Sequence, residues 1–129
     1  VIDFPLDGKE SKTRYLRLSQ GSSGALVAVY PLTGRMHQIR QHFKMLGRPI
    51  LGDKRYGGRP LPGFTGHLLH SFITQLVHPA TGEALVIPAP LPAPLLQTLT
   101  RLTGLKEETL LKRLEQVPPA EAPSPSEAE

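Results

Sequence analysis

The apolar pattern of this chain begins with two β-rich runs, Thr13 to Leu18 (TRYLRL) and Ala25 to Tyr30 (ALVAVY), separated by Gln20-Gly21-Ser22-Ser23-Gly24. Runs of this kind around a short Gly/Ser link predict a β-hairpin. The spacing then changes. Met36, Ile39, Phe43 and Leu46 recur at helical intervals, which predicts a helix from about Arg35 to Leu46 with these four as its buried stripe. Thr33 is placed to cap that helix and Gly47 to stop it. His37, Arg40, Gln41 and Lys44 fall on a different stripe, turned to something outside the core.

Further along, Arg48 to Leu51 is short and apolar, Gly52-Asp53 reads as a turn, and Lys54 to Gly66 is a Gly- and Pro-rich loop. His70 to Val77 (HSFITQLV) and Ala84 to Ile87 predict two more strands, joined through His78-Pro79-Ala80-Thr81-Gly82. After the loop Pro88 to Pro92, Leu95 to Leu102 and Lys106 to Val117 are amphipathic and predict helices. In the last, Glu107, Glu108 and Lys112 are exposed while Leu110, Leu111 and Leu114 face inward. No internal repeat is present. The pattern predicts an α+β fold, a mostly antiparallel sheet with flanking helices.

The final twelve residues, Pro118 to Glu129, are Pro, Glu, Ala and Ser only. Such a stretch cannot bury enough apolar surface to offset its ordering entropy, so residues 118–129 read as a disordered tail and residues 1–117 as one domain. The whole chain of 129 residues carries 15 Lys and Arg against 11 Asp and Glu. Three of those acids lie in the tail, so the body is more basic than the net +4 suggests. A basic body favours a polyanionic partner, nucleic acid or an anionic membrane. The charge is also clustered: residues 33–59 hold seven basic residues, two His and five Gly with the single acid Asp53. That clustering favours nucleic acid.

Other classes are excluded. With no cysteine, disulfides and thiolate metal sites are absent, which fits a reducing compartment. No apolar run approaches the roughly 20 residues needed to span a bilayer, and no charged-then-apolar leader opens the chain, so a cytoplasmic protein without a membrane partner is expected. His37 and His42, five apart, point to different faces, and His70 and His78 add no HExxH-like spacing. There is no Walker motif, no GxSxG elbow and no Ser/His/Asp set. Thr33-Gly34, at the predicted helix start, offers backbone N–H groups to a phosphate. Arg40 sits mid-helix beside the buried stripe, where a guanidinium needs a carboxylate or phosphate, best a bidentate one. Of the three Asp residues, Asp3 and Asp7 lie in a weakly structured start, and Asp53 in its turn reads as a local hydrogen-bonding residue.

The stretch TGRMHQIRQHFKMLGRPILGDKRYG resembles the C-terminal signature of RluA-type RNA pseudouridine synthases, roughly TGR-x-HQ-[IL]-R-x-H followed by G-x-PI-x-GD-x-x-Y. Its fixed elements stand here as Thr33-Gly34-Arg35, His37-Gln38-Ile39-Arg40, His42, Gly47, Pro49-Ile50, Gly52-Asp53 and Tyr56. The resemblance extends over about residues 5 to 102, through Lys12-Thr13-Arg14-Tyr15 upstream and Leu69-His70, His78-Pro79, Thr81-Gly82-Glu83 and Ala89-Pro90-Leu91-Pro92 downstream. It implies an isomerase that breaks the C1′–N1 bond of uridine in rRNA or tRNA and rejoins the base through C5, with no cofactor or metal. The target base has to leave its stack. The resemblance further implies that Arg40 pairs with a catalytic Asp, and that Arg35, His37 and Lys44 contact RNA.

That family's Asp stands in a His-Arg-Leu-Asp segment well before the TGR motif, followed by an active-site Tyr. Neither segment occurs in these 129 residues. The chain therefore reads as the C-terminal part of a synthase domain, its N-terminal half missing, and inactive by itself. Val1 is not an initiator Met, which reads as a cut piece, a processed product or an alternative start. Two competing readings remain: a short RNA-binding remnant without catalysis, and a basic structural protein with no RNA partner, whose binding would be insensitive to salt.

Overall fold

The computed structural model describes residues 1–21, 24–77 and 79–118, with the backbone only at residues 75–77 and 84. The predicted tail from residue 119, the hairpin link Ser22-Ser23 and His78 lie outside the described residues. The fold is α+β, as the pattern predicts. In chain order it runs β1 (Thr13–Gly21), β2 (Gly24–Pro31), α1 (Gln38–Met45), β3 (Ile73–Val77), β4 (Ala84–Pro88), α2 (Ala93–Thr103) and α3 (Glu107–Glu115), with one 3-10 turn at Lys54–Tyr56. The strands form two separate two-stranded antiparallel sheets, β1–β2 and β3–β4.

β1 and β2 pair from Thr13 opposite Pro31 to Gly21 opposite Gly24, with a bulge between Arg17 and Ser19. A bulge inserts one unpaired residue and sharpens the local twist, which curls this long ribbon. The N-terminal segment adds an isolated bridge, Ile2 to Thr13, along the other side of β1. α1 packs against β1 and β2, α2 lies on the same two strands, and α3 packs on α2. β3 and β4 begin and end close to expectation, although His70 to Phe72 precede the strand.

The helix ends follow local chemistry. α2 starts with Pro94 in its first turn, where the missing N–H costs no bond. It stops at Gly104, whose φ of 72° lets its N–H reach the Thr100 carbonyl. α3 carries Glu107 and Glu108 in its first turn and Lys112 and Arg113 in its last, both favourable to the helix dipole. Its buried side is narrower than the pattern suggests. Leu110 is fully buried, but Leu111 is 39% exposed.

α1 departs most from its prediction. It begins at Gln38 rather than Arg35, and its N-cap is His37, not Thr33. Met36 and His37 form a turn instead, closed by the Gln38 N–H on the Arg35 carbonyl at 3.1 Å, so Met36 never joins the helix and is 74% exposed, while Leu46 lies past the last turn and is also exposed. The buried positions of α1 are Gln38, His42 and Phe43. Phe43 meets Tyr15 edge to face, with ring centroids 5.4 Å apart. The buried set is small and mixed. It comprises Ile2, Leu6, Phe43, Leu95 and Leu110 alongside Ser11, Thr13, Gln38, His42, Asp53 and Thr98. Polar side chains survive burial only when bonded, and among the described residues no buried side-chain N or O lacks a partner.

Candidate active-site cleft

The site is built around the turn that follows α1. Gly52 has φ 81°, and a Cβ there would strike the Gly66 carbonyl; one at Gly58 would strike the Ile50 carbonyl and crowd the backbone of Asp53. With both positions free of side chains, the chain folds tightly round Asp53. Its N–H reaches the Ile50 carbonyl at 3.1 Å, and its carbonyl accepts from Gly58 at 2.7 Å. The carboxylate is thereby aimed at α1.

There it takes the guanidinium of Arg40 in two parallel bonds, Nε to Oδ2 and Nη2 to Oδ1, each 2.9 Å. Asp53 is buried and the Arg40 side chain mostly so, at 17% exposure. The bidentate partner that Arg40 needed is thus present within the chain. Asp53 itself was misread as a local turn residue: its backbone closes the turn, but its side chain reaches across to α1, because the tight glycine turn points it inward. The paired charges move both groups. The Arg40 hydrogen bonds hold the Asp53 carboxyl below the usual carboxylate range against the opposing effect of burial, with smaller help from the charges of Arg40 and His67 and the Tyr56 backbone N–H. Asp53 raises Arg40 in turn. Nη1 of Arg40 donates to none of the described residues.

Tyr56, at the end of the 3-10 turn, ties the rest together. Its ring lies under the Arg40 guanidinium at 5.0 Å and within 5.7 Å of that of Arg55. Its hydroxyl is 2.9 Å from His37 Nδ1. His37 adopts a left-handed conformation, φ 49°, which a non-glycine residue disfavours by on the order of 1–3 kcal/mol. Strain of this kind persists where surrounding contacts over-determine the residue, and here Tyr56 does so.

Arg40 and His37 border an open cleft of about 390 Å³, lined also by Thr33, Arg35 and His67. The structure therefore brings Arg35, His37 and Arg40 to one concavity. Lys44 is not in its lining; it is exposed in the last turn of α1. The Thr33-Gly34 turn does not offer its next N–H to a phosphate, because Arg35 N–H is taken by Gln38 Oε1 at 3.0 Å. Among the described residues no three His, Asp or Glu side chains gather as a metal site would require. Sequence reasoning gave Asp53 only a local turn role and gave no site role to Tyr56, Gln38 or His67. The signal available for the first two was the Gly52-Asp53-x-x-Tyr56 spacing, which a short helical turn converts into adjacency.

The chain is 42% identical over 108 residues to the ribosomal large subunit pseudouridine synthase C of Vibrio cholerae, covering 79% of this chain and 34% of that protein. It is 36% identical over 114 residues to the enzyme of the same name in Escherichia coli K12, covering 82% and 36%. An uncharacterized RNA pseudouridine synthase of Bacillus subtilis, YlyB, is 38% identical over 96 residues, covering 74% and 32%. No protein-family model matches. The chain is related to RluA-type pseudouridine synthases and spans about a third of the length of these curated relatives. No helix among the described residues is long and apolar enough to cross a membrane.

Proposed function

We propose that this chain is the C-terminal portion of an RNA pseudouridine synthase domain, residues 1–117, and that within the larger enzyme it serves the isomerisation of uridine in rRNA or tRNA. The observation that supports it most is the Asp53-braced Arg40 on the wall of a cleft it shares with Arg35 and His37. In this reading Asp53 fixes the guanidinium plane, and Nη1 is the edge left to meet the catalytic aspartate that the remainder of the domain supplies. Arg35 and His37 meet RNA at the cleft, and Lys44 meets phosphate further along α1. The chain by itself, without that aspartate, is inactive.

A second cleft of about 830 Å³ supports the same reading. It is lined largely by apolar groups, among them Tyr15, Val27, Ile39, Phe43, Leu51 and Leu99. Such a surface suits burial against the rest of the domain.

The test is release of tritium from RNA labelled at uridine C5, the hydrogen displaced when C5 takes the glycosidic bond. The complete protein is expected to release it and this chain alone is not. In the complete protein Arg40→Ala should abolish release while RNA affinity falls only modestly; near-normal turnover would sink the assignment. Arg35→Ala should lower the slope of log affinity against log salt by roughly 0.7–0.9, the effect of one lost phosphate contact. A remnant that only binds RNA would keep the salt slope, and its gene would have no upstream frame encoding His-Arg-Leu-Asp.

A further inference from the structure

A directed series of hydrogen bonds runs through the buried side of α1, and its direction is set independently from both ends. At one end the Phe4 carbonyl can only accept, so His42 Nε2, 2.8 Å away, carries a ring proton. Thr13 Oγ1 lies 2.7 Å from His42 Nδ1 and also 2.9 Å from Gln38 Nε2. The other Nε2 hydrogen goes to the Lys12 carbonyl at 2.8 Å. At the opposite end the Arg35 backbone N–H can only donate, so the atom 3.0 Å from it is the carbonyl oxygen of Gln38. That oxygen also accepts from Thr33 Oγ1 at 2.6 Å, and Thr33 Oγ1 accepts from Lys12 N–H at 2.9 Å.

The amide orientation required by Arg35 is the one that presents an N–H to Thr13. The Thr13 hydroxyl therefore accepts from Gln38 and donates to His42 Nδ1. A doubly protonated His42 would set a second donor against that hydroxyl and leave its hydrogen without an acceptor among the described residues. Both His42 and Thr13 have no solvent exposure.

We propose that Gln38 is a positioning residue of the cleft: through Thr13 it is coupled to the tautomer of the buried His42 ring, and through its carbonyl oxygen it shapes the turn that carries Arg35. The turn has no side-chain cap from His37, the N-cap residue of α1, so the Gln38 oxygen is the side-chain acceptor that secures the Arg35 amide. The inference rests on the RNA reading only for what Arg35 meets in the cleft.

The test is nitrogen-15 NMR of imidazole rings and backbone amides, with hydrogen exchange. In the complete protein, His42 is expected as a single Nε2–H tautomer with Nδ1 accepting from Thr13; an Nδ1–H tautomer overturns the proposal. Gln38→Glu replaces two donors by acceptors. The Thr13 hydroxyl then turns to the new carboxylate, so the bond to His42 Nδ1 is lost and the ring nitrogen shifts are expected to move away from those of the parent. Gln38→Ala removes the acceptor of Arg35 without reversing Thr13. The Arg35 amide should exchange at least tenfold faster while His42 keeps its neutral tautomer. Thr13→Ser, which keeps the hydroxyl, should leave the ring spectrum as in the parent. A merely structural Gln38 would disturb His42 alike in both Gln38 variants, or in neither, and that result refutes the coupling. Should Gln38→Glu fail to fold, the parent tautomer and the Gln38→Ala exchange rate decide the matter. None of these readouts involves RNA or turnover, so a failure of the functional reading leaves them untouched.

Discussion

Asp53 and Arg40 brace each other through two bonds in a largely dry site, and the acid side of that pair carries a pH dependence. Unfolded, an aspartate titrates near 4. Folded, Arg40 holds Asp53 below its usual range. The stabilisation is therefore complete above about pH 4 and is lost as pH falls through the lower folded value. Denaturant melts at pH 7, 4 and 3 should show the parent losing stability in acid, with the loss blunted in Asp53→Asn. Equal acid sensitivity in the two proteins would show that the pair does not set it. Arg40 was recognisable beforehand because a cation beside an apolar stripe demands a partner. Asp53 was not, since nothing local tells a turn aspartate that bonds its own backbone from one that crosses to a helix.

Among the elements, the turn from Ile50 to Gly58 decides whether the pair can form. Gly58→Ala would push a methyl into the Ile50 carbonyl and the Asp53 backbone, whereas a methyl at Gly34 meets nothing within 4 Å. Gly58→Ala is expected to destabilise by about 1–3 kcal/mol, in the range of overpacked sites, and to loosen the Arg40 contact. Gly34→Ala should stay within about 0.5 kcal/mol. Thermal or denaturant melts separate them, and equal effects would remove the turn from the argument. α1 shows how an apolar period misleads. Met36 fits the stripe by number, but the helix starts two residues later, because Gln38 and His42 are bonded well enough to be buried in place of aliphatic side chains. Periodicity counts apolar residues and is blind to polar ones that a network has satisfied.

For the molecule as a whole, the apolar lining of the larger cleft and the exposed Leu16, Val86 and Ile87 imply a surface that is unfinished. Two-stranded sheets also leave strand edges open to pairing. The chain expressed alone is expected to associate or to be poorly soluble, which sedimentation velocity over a range of concentrations will read. A monomer that unfolds in one cooperative step would contradict the view that a larger domain completes it.

The sequence by itself determined the two hairpins, the three helical segments, the α+β class and the basic cluster, since strand and helix periods, glycine stops and charge are local properties of the chain. It also determined the relationship to pseudouridine synthases, carried by the spacing from Thr33 to Tyr56. The tertiary structure alone decided that Asp53 is the bidentate partner of Arg40, that Tyr56 underlies the guanidinium and holds His37, and that Gln38 joins Arg35 to His42. Each of these depends on bringing side chains 13 to 29 positions apart, or on the hydrogen-bond capacity of a buried amide, within about 3 to 5 Å. Contacts of that kind follow from how turns direct elements against one another, and no local pattern of residues encodes them.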